Sequence, residues 1–278
     1  MNRSTLISRE QLYRLVQIAI QAGNALMAYY DDEVDISVKD DNTPLTAADL
    51  ASHQTIVNAL AAEFGQFPIL SEEDADISWQ QRATWQHYWL LDPLDGTKEF
   101  IKHNGEFTVN IALVSQHMPV AGVVYAPALG RCFFGMVDVG AWELAQPAMQ
   151  RVPDAATIAQ RSQSLLGQTT RQTPIVVGSR SHITPGLAGF LGSLVDYHLR
   201  EVGSSLKMCL LASAEADLYP RLGATHEWDT AAAHAILSAA GGHVLLHDSQ
   251  QPLRYNTKNT LANPWFVAYR PGWIEDTP

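Results

Sequence analysis

Cysteine is nearly absent from this chain. Its only two, Cys132 and Cys209, sit in apolar company (RCFFGM and KMCLLA), which excludes a disulfide framework or a thiolate zinc cluster and predicts buried free thiols. Cations are also scarce. Against 29 acidic residues stand 18 basic ones, a formal charge of -11. That balance repels polyanions and argues against a nucleic acid polymer or an anionic bilayer as the main partner. A small anionic substrate would need local help from metal ions or a few clustered cations. Long apolar runs are missing as well. The N-terminal stretch ISREQLYRLVQIAIQAGNALMAYY places Leu12, Leu15, Val16, Ala19, Ala22, Leu26 and Met27 at helical spacing between polar residues. Neither a secretion signal nor an integral membrane segment fits that pattern, so a cytoplasmic protein is expected. Ser8 and Gln11 form a capping box that starts this helix. No low-complexity tract or internal repeat occurs, and the glycine-rich fingerprints of P-loop kinases and dinucleotide oxidoreductases are not present in their required spacing.

What remains is an ordinary globular composition, 46% apolar and 17% charged, over 278 residues, enough for two cores. After the first helix, Asn42-Thr43-Pro44 marks a turn, and a second helix follows with Ile56, Val57, Leu60 and Phe64 on one side. The runs FPILSEED and HYWLLDPLDGT read as short buried strands ending in acids. From Phe107 to Leu144, short β-branched and aromatic runs predict an antiparallel meander. The polar stretch from about 145 to 173 is the best place for a boundary. Beyond it, strand-like and helix-like segments alternate, as expected for helices on a parallel or mixed sheet. The division expected is an N-terminal α+β domain over 1–155 and a C-terminal α/β domain over 174–278, with the active cleft between the two.

Three separated segments end in acids where the chain leaves apolar structure: Glu72 in LSEED, Asp92 and Asp95 in LLDPLDGT, and Asp229 in HEWDTAA. Hard oxygen ligands without cysteines favour Mg²⁺ or Mn²⁺ over zinc, and His226 and His234 beside Asp229 lack the spacing of a two-histidine zinc helix. Any one of these acids alone is more often a helix cap or a solvated charge. DPLDGT is more specific. Pro93 restricts the backbone between two like charges, Gly96 permits close approach, and the amides of Gly96 and Thr97 at a helix start could cradle a phosphate. Metal on the carboxylates and amides beside them would suit hydrolysis of a phosphate ester.

DPLDGT, preceded by the acidic SEE and followed far downstream by WDTAA, resembles the inositol monophosphatase superfamily of lithium-sensitive, magnesium-dependent phosphatases. The likeness is closer to its 3'(2'),5'-bisphosphate nucleotidase branch, the bacterial CysQ type, through PLTAAD, KEFIKHNGEFTVNIALV, GVVYAPALG, GSRSH and GSSLKMCLLASAEADLYPR, all in family order from about residue 40 to 240. The resemblance implies a layered αβαβα sandwich of the inositol monophosphatase-like, or sugar phosphatase, fold. It implies that Glu72, Asp92, the carbonyl of Leu94, Asp95 and Asp229 coordinate two or three Mg²⁺ ions, with Mn²⁺ as a substitute and Ca²⁺ and Li⁺ as inhibitors. Asp49 and Thr97 would form a hydrogen-bonded pair orienting the attacking water, assisted by Glu72. The implied substrate is adenosine 3',5'-bisphosphate, contacted by Glu72, Leu94, Asp95, Gly96, Thr97, His182, Ser204, Lys207, Arg221 and Asp229 and cleaved to AMP and phosphate by direct in-line attack. Such an activity belongs to sulfur assimilation and nucleotide recycling. Some relatives lie at the cytoplasmic face of the inner membrane, and the oligomer implied is a monomer or a homodimer.

The chain departs from the family pattern at Ala233, where glycine is usual, and its methyl is expected to narrow the nucleoside side of the pocket. Two rivals remain open. The chain could be an inositol monophosphatase or sugar phosphatase with the same metals, or an inactive nucleotide-sensing or interaction protein that keeps the fold.

Overall fold

The computed structural model describes residues 6–30, 36–38, 44–165, 171–178 and 185–273. The expected contact residue His182, Arg180 beside it and the Asn42-Thr43 part of the expected turn lie outside them. In chain order the elements are α1 (Arg9–Met27), β1 (Ile36–Val38), β2 (Pro44–Thr46), α2 (Ala47–Phe64), β3 (Ile69–Ser71), α3 (Trp79–Arg82), β4 (His87–Asp95) and α4 (Thr97–Ile101). Then follow β5 (Thr108–Ser115), β6 (Met118–Ala126), β7 (Arg131–Met136), β8 (Gly140–Ala145), α5 (Ala155–Arg161) and β9 (Gln163–Ser164). The last part comprises β10 (Ile175–Gly178), α6 (Pro185–Gly192), β11 (His198–Glu201), α7 (Leu206–Ala212), β12 (Leu218–Arg221), α8 (Glu227–Ala239), β13 (His243–Leu246) and β14 (Phe266–Tyr269).

Two sheets carry the molecule. The first has seven strands in sequence order, β3 to β9, and it is antiparallel except for the parallel pair β3–β4. The meander expected from the β-branched runs is its centre. The second sheet, β11-β10-β12-β14-β13, is mixed: β10 pairs in parallel with β11 and β12, while β14 is antiparallel to β12 and β13. The small β1–β2 hairpin was not foreseen from sequence, because three-residue strands leave no periodicity to read.

The layering follows from which faces are apolar. α1 begins at the Ser8–Gln11 capping box and buries Leu12, Leu15, Val16, Ala19 and Leu26 with α2 on one face of the first sheet, in a core with Trp89, Ile111, Val123 and Phe134. The other face of that sheet meets α7 and α8, and these helices also cover the second sheet, so Leu90, Val114, Cys209, Ile236 and Phe266 share one core. α6 packs Leu187 and Leu191 against Val176 and Leu218 on the far face of the second sheet. The result is five layers, α/β/α/β/α.

Strands β4 to β7 are buried on both sides, which explains why they read as continuous apolar runs. Close seating of α8 depends on glycine: a Cβ at Gly122 of β6 would press on the carbonyl of Ala232 and lie 2.9 Å from its Cα. Cys132 and Cys209 are buried free thiols, and burial raises both above their usual range. Among the described residues, no helix is long and apolar enough to cross a membrane.

Candidate active site

A β-strand sends residues three apart to opposite faces, so Asp92 and Asp95 could not both serve one site on a regular β4. The strand instead bulges. Asp92 pairs with Asn110 and Asp95 with Thr108, three steps on β4 against two on β5, and the extra residue falls in the Pro93-Leu94 segment. Leu94 N–H donates to Asp92 Oδ1 at 3.2 Å, and Ser52 Oγ from α2 donates to the Pro93 carbonyl at 2.8 Å, which fixes the distortion. Gly96 then adopts φ 90, a left-handed conformation that suits glycine, and hands the chain to α4.

Other elements deliver further acids to the same place. Glu72 leaves β3 at the C-terminal end of the parallel pair with β4, its N–H bonded to the Leu91 carbonyl at 3.1 Å. Asp49 lies in the first turn of α2 and is buried. Asp229 lies in the first turn of α8, where its Oδ2 accepts from the His226 N–H at 2.8 Å. Asp49, Glu72, Asp92, Leu94, Asp95, Gly96, Thr97 and Asp229 all line one cavity of about 560 Å³, together with Glu73, Lys98, Glu99, His226 and Trp228. Thr97 Oγ1 donates to the Leu94 carbonyl at 3.4 Å. The expected acids therefore line a common space, brought there by α2, β3, β4 and α8.

The electrostatics are severe. Burial, then the charges of Glu72, Asp95, Asp229 and Asp49, hold the Asp92 carboxyl well above its ordinary range. Asp229 keeps some surface open to the cavity, yet protein surrounds its carboxyl, and burial followed by Asp95 pushes it up to about 8. Such a set of oxygen donors is what a hard divalent cation relieves. Among the described residues, no three His, Cys, Asp or Glu side chains are gathered closely enough to hold an ion as they stand. Asp95 Oδ2 accepts from Ser204 Oγ at 2.8 Å and lies 2.5 Å from Ser205 Oγ, while Asp229 caps its helix. Each bonds the protein through Oδ2, and both line the acidic cavity with Leu94, a set of oxygen donors that fits magnesium.

A second cavity, of about 170 Å³, adjoins the first and shares Asp95, Gly96, Lys98, Glu99 and Asp229 with it. Its distinctive lining is cationic and small: Gly203, Ser204, Ser205, Lys207, Arg221 and Thr225, with Met208 and Tyr219. Lys207 is buried, donates from Nζ to the Ser204 carbonyl at 2.6 Å and lies 5.6 Å from the centre of the Tyr219 ring. Burial lowers it to about 8, and Asp95 opposes that shift. Ser204 takes φ 49 and turns its hydroxyl to Asp95 and Thr108.

Several participants were missed in the sequence. Ser205 accepts from Asn110 Nδ2 at 2.7 Å and lies within bonding distance of both Asp95 and the Asp229 carbonyl. Thr108 and Asn110 gave a usable signal, because two polar residues at alternate positions of a wholly buried strand need partners. Glu106, which accepts from Gly203 N–H at 2.8 Å, gave none. One expectation is corrected. Ala233 lines neither cavity; it is fully buried in the core between the sheets, so its methyl does not narrow the pocket. His234, near Asp229 in sequence, likewise faces the core, with Nδ1 at 3.1 Å from the Tyr255 hydroxyl.

Residues 8–271 match the model of the inositol monophosphatase family. Among curated proteins, the 3'(2'),5'-bisphosphate nucleotidase CysQ of Shigella flexneri is 44% identical over 260 residues, covering 92% of this chain and 98% of that protein. The protein of the same name from Salmonella typhimurium is 45% identical with the same coverage. The crystal structure of CysQ from Bacteroides thetaiotaomicron, a bacterial member of the inositol monophosphatase family, superposes with a TM-score of 0.85 at 38% identity, covering 96% of this chain and 99% of that one.

Proposed function

The chain belongs to the inositol monophosphatase family, and from that premise we propose that it is a 3'(2'),5'-bisphosphate nucleotidase, removing the 3'-phosphate of adenosine 3',5'-bisphosphate to give AMP and phosphate. The family is metal-dependent, generally with Mg²⁺. One observation carries the choice of substrate: the acidic chamber adjoins a second one to which Lys207 and Arg221 add cations the first lacks, and the two share Asp95, Gly96 and Asp229. A molecule with two phosphates matches that polarity, one group at each.

Glu72, Asp92, the Leu94 carbonyl, Asp95 and Asp229 would hold the magnesium. When bound, Mg²⁺ supplies charge stabilisation for the phosphoryl oxygens and lowers the pKa of water. The chain's own residues do the rest. Asp49 and Thr97, both lining the acidic chamber, orient the attacking water, with Glu72 assisting. Gly96, without a side chain, lets the phosphoryl group approach the backbone. Lys207, Arg221 and Ser204 bind the phosphate that is not cleaved and so keep the reacting group in line. His182 serves the nucleotide from outside the described residues. Lithium competes for a magnesium position and lowers the rate.

The test is a panel of phosphate esters with magnesium. Phosphate release from adenosine 3',5'-bisphosphate should exceed that from inositol monophosphate and sugar phosphates. Faster release from inositol monophosphate would move the chain to another branch, and no release from any ester would leave a binding protein.

A further inference from the structure

Asp229 owes its position to more than its own helix. The irregular segment from Tyr255 to Asn263 is fastened along the start of α8: Glu227 N–H donates to the Leu261 carbonyl at 2.9 Å, Asn263 N–H to the Thr225 carbonyl at 2.8 Å, and Asn263 Nδ2 to the His226 carbonyl at 2.7 Å. A buried polar chain continues inward from there. Asn256 N–H lies 2.9 and 2.8 Å from the two carboxylate oxygens of Glu227. The Asn256 side chain accepts from Arg82 Nη1 at 2.6 Å and donates back to the Arg82 carbonyl at 2.6 Å. Arg82 also donates to the carbonyls of Lys258, at 3.2 Å, and Asn259. Arg82, Asn256 and Glu227 are each exposed by 2% or less, so a guanidinium and a carboxylate are kept in the interior with one asparagine between them.

Burying such charges is costly unless the geometry is well satisfied, and well-packed apolar residues would often serve stability better. What the arrangement does supply is an anchor at Glu227 in the first turn of α8, two residues before Asp229 and next to His226, whose N–H holds the Asp229 carboxylate. We propose that Arg82, Asn256 and Glu227 form a positioning clamp that presents Asp229 to the cavity, and that it governs how tightly the site takes a divalent ion. The clamp touches no cavity wall of its own: neither Arg82, Asn256 nor Glu227 lines either chamber. It is therefore a set of positioning residues, and it rests on the reading of Asp229 as a metal ligand.

Asn256 provides the cleanest variant because its φ of 50 is left-handed. Asn256→Gly keeps that conformation and the N–H to Glu227 but removes both side-chain bonds to Arg82. Binding of Mn²⁺ is measured by calorimetry on the folded protein without substrate, beside Arg82→Lys and a control, Arg270→Lys, in the separate buried pair with Asp217. Asn256→Gly should weaken Mn²⁺ binding about 10- to 100-fold, as loss of outer support for a metal ligand does. Arg82→Lys should shift it in the same direction, and it stands as the decisive variant if Asn256→Gly does not fold. The Michaelis constant at saturating metal should stay within about twofold, since bound metal restores Asp229, and Ser204, Lys207 and Arg221 are untouched. Mn²⁺ affinity unchanged in the folded variants overturns the clamp, as does an equal loss in Arg270→Lys. A wild-type protein that takes up no Mn²⁺ would remove the reading of the acidic site itself, a failure visible before any variant is compared.

Discussion

The hydroxyl of Ser205 stands 2.5 Å from Oδ2 of Asp95, joining the start of α7 to the bulged end of β4. Its one hydrogen can go either there or to the Asp229 carbonyl at 2.7 Å, while Asn110 donates to its oxygen. Ser205 thus lies between the Asp95 carboxylate and the Asp229 backbone. Ser205→Ala removes that tie and leaves the Asp95 carboxylate less firmly oriented. We expect magnesium to be needed at about tenfold higher concentration for half-maximal rate, with the fold kept, as read from a metal titration of initial rates. An unchanged titration would make Ser205 a packing residue only.

With Lys207 at the uncleaved phosphate as proposed, its titration should give a pH dependence that distinguishes the two phosphates. Its folded value of about 8 lies below that of a free lysine, so it is charged below pH 8 and loses its proton as pH rises through that value. Binding an anion beside it then requires proton uptake. The Michaelis constant for adenosine 3',5'-bisphosphate should be flat below pH 8 and rise toward about tenfold per unit above it, whereas a monophosphate ester should not share the rise. Lys207→Met should give a high, flat profile for the bisphosphate. Parallel profiles for both esters would remove Lys207 from the second phosphate's site.

The seating of α8 on β6 is a packing prediction. Gly122→Ala forces a methyl against the Ala232 backbone, which cannot swing aside as a side chain can. A loss of about 1–3 kcal/mol in denaturant unfolding is expected, together with weaker metal binding because the helix carrying Asp229 must shift. Wild-type stability would show that the helix has slack here.

Much of this was legible in the sequence for physical reasons. Helical spacing and the Ser8–Gln11 box gave α1, and the β-branched runs gave the meander from β5 to β8, because buried elements must be apolar on a definite face. Acids at the ends of apolar runs pointed to the cleft, since a charge leaves apolar structure only at its edge. Contacts over long sequence separations were not legible. Nothing local in the sequence announces that Arg82 reaches Asn256, or that Ser205 rather than Ser204 alone meets Asp95. The position of Ala233 was misread for the same reason: a helix residue next to a ligand can face either the pocket or the core, and only packing decides.

The central claim is that Glu72, Asp92, Asp95 and Asp229 share divalent ions at one face of the cleft. A crystal soaked with calcium and adenosine 3',5'-bisphosphate tests it most directly. Anomalous density should lie among those four carboxylates, with one phosphate of the nucleotide against it and the other beside Lys207 and Arg221. Calcium found elsewhere, with the acidic cavity holding only water, would contradict the account.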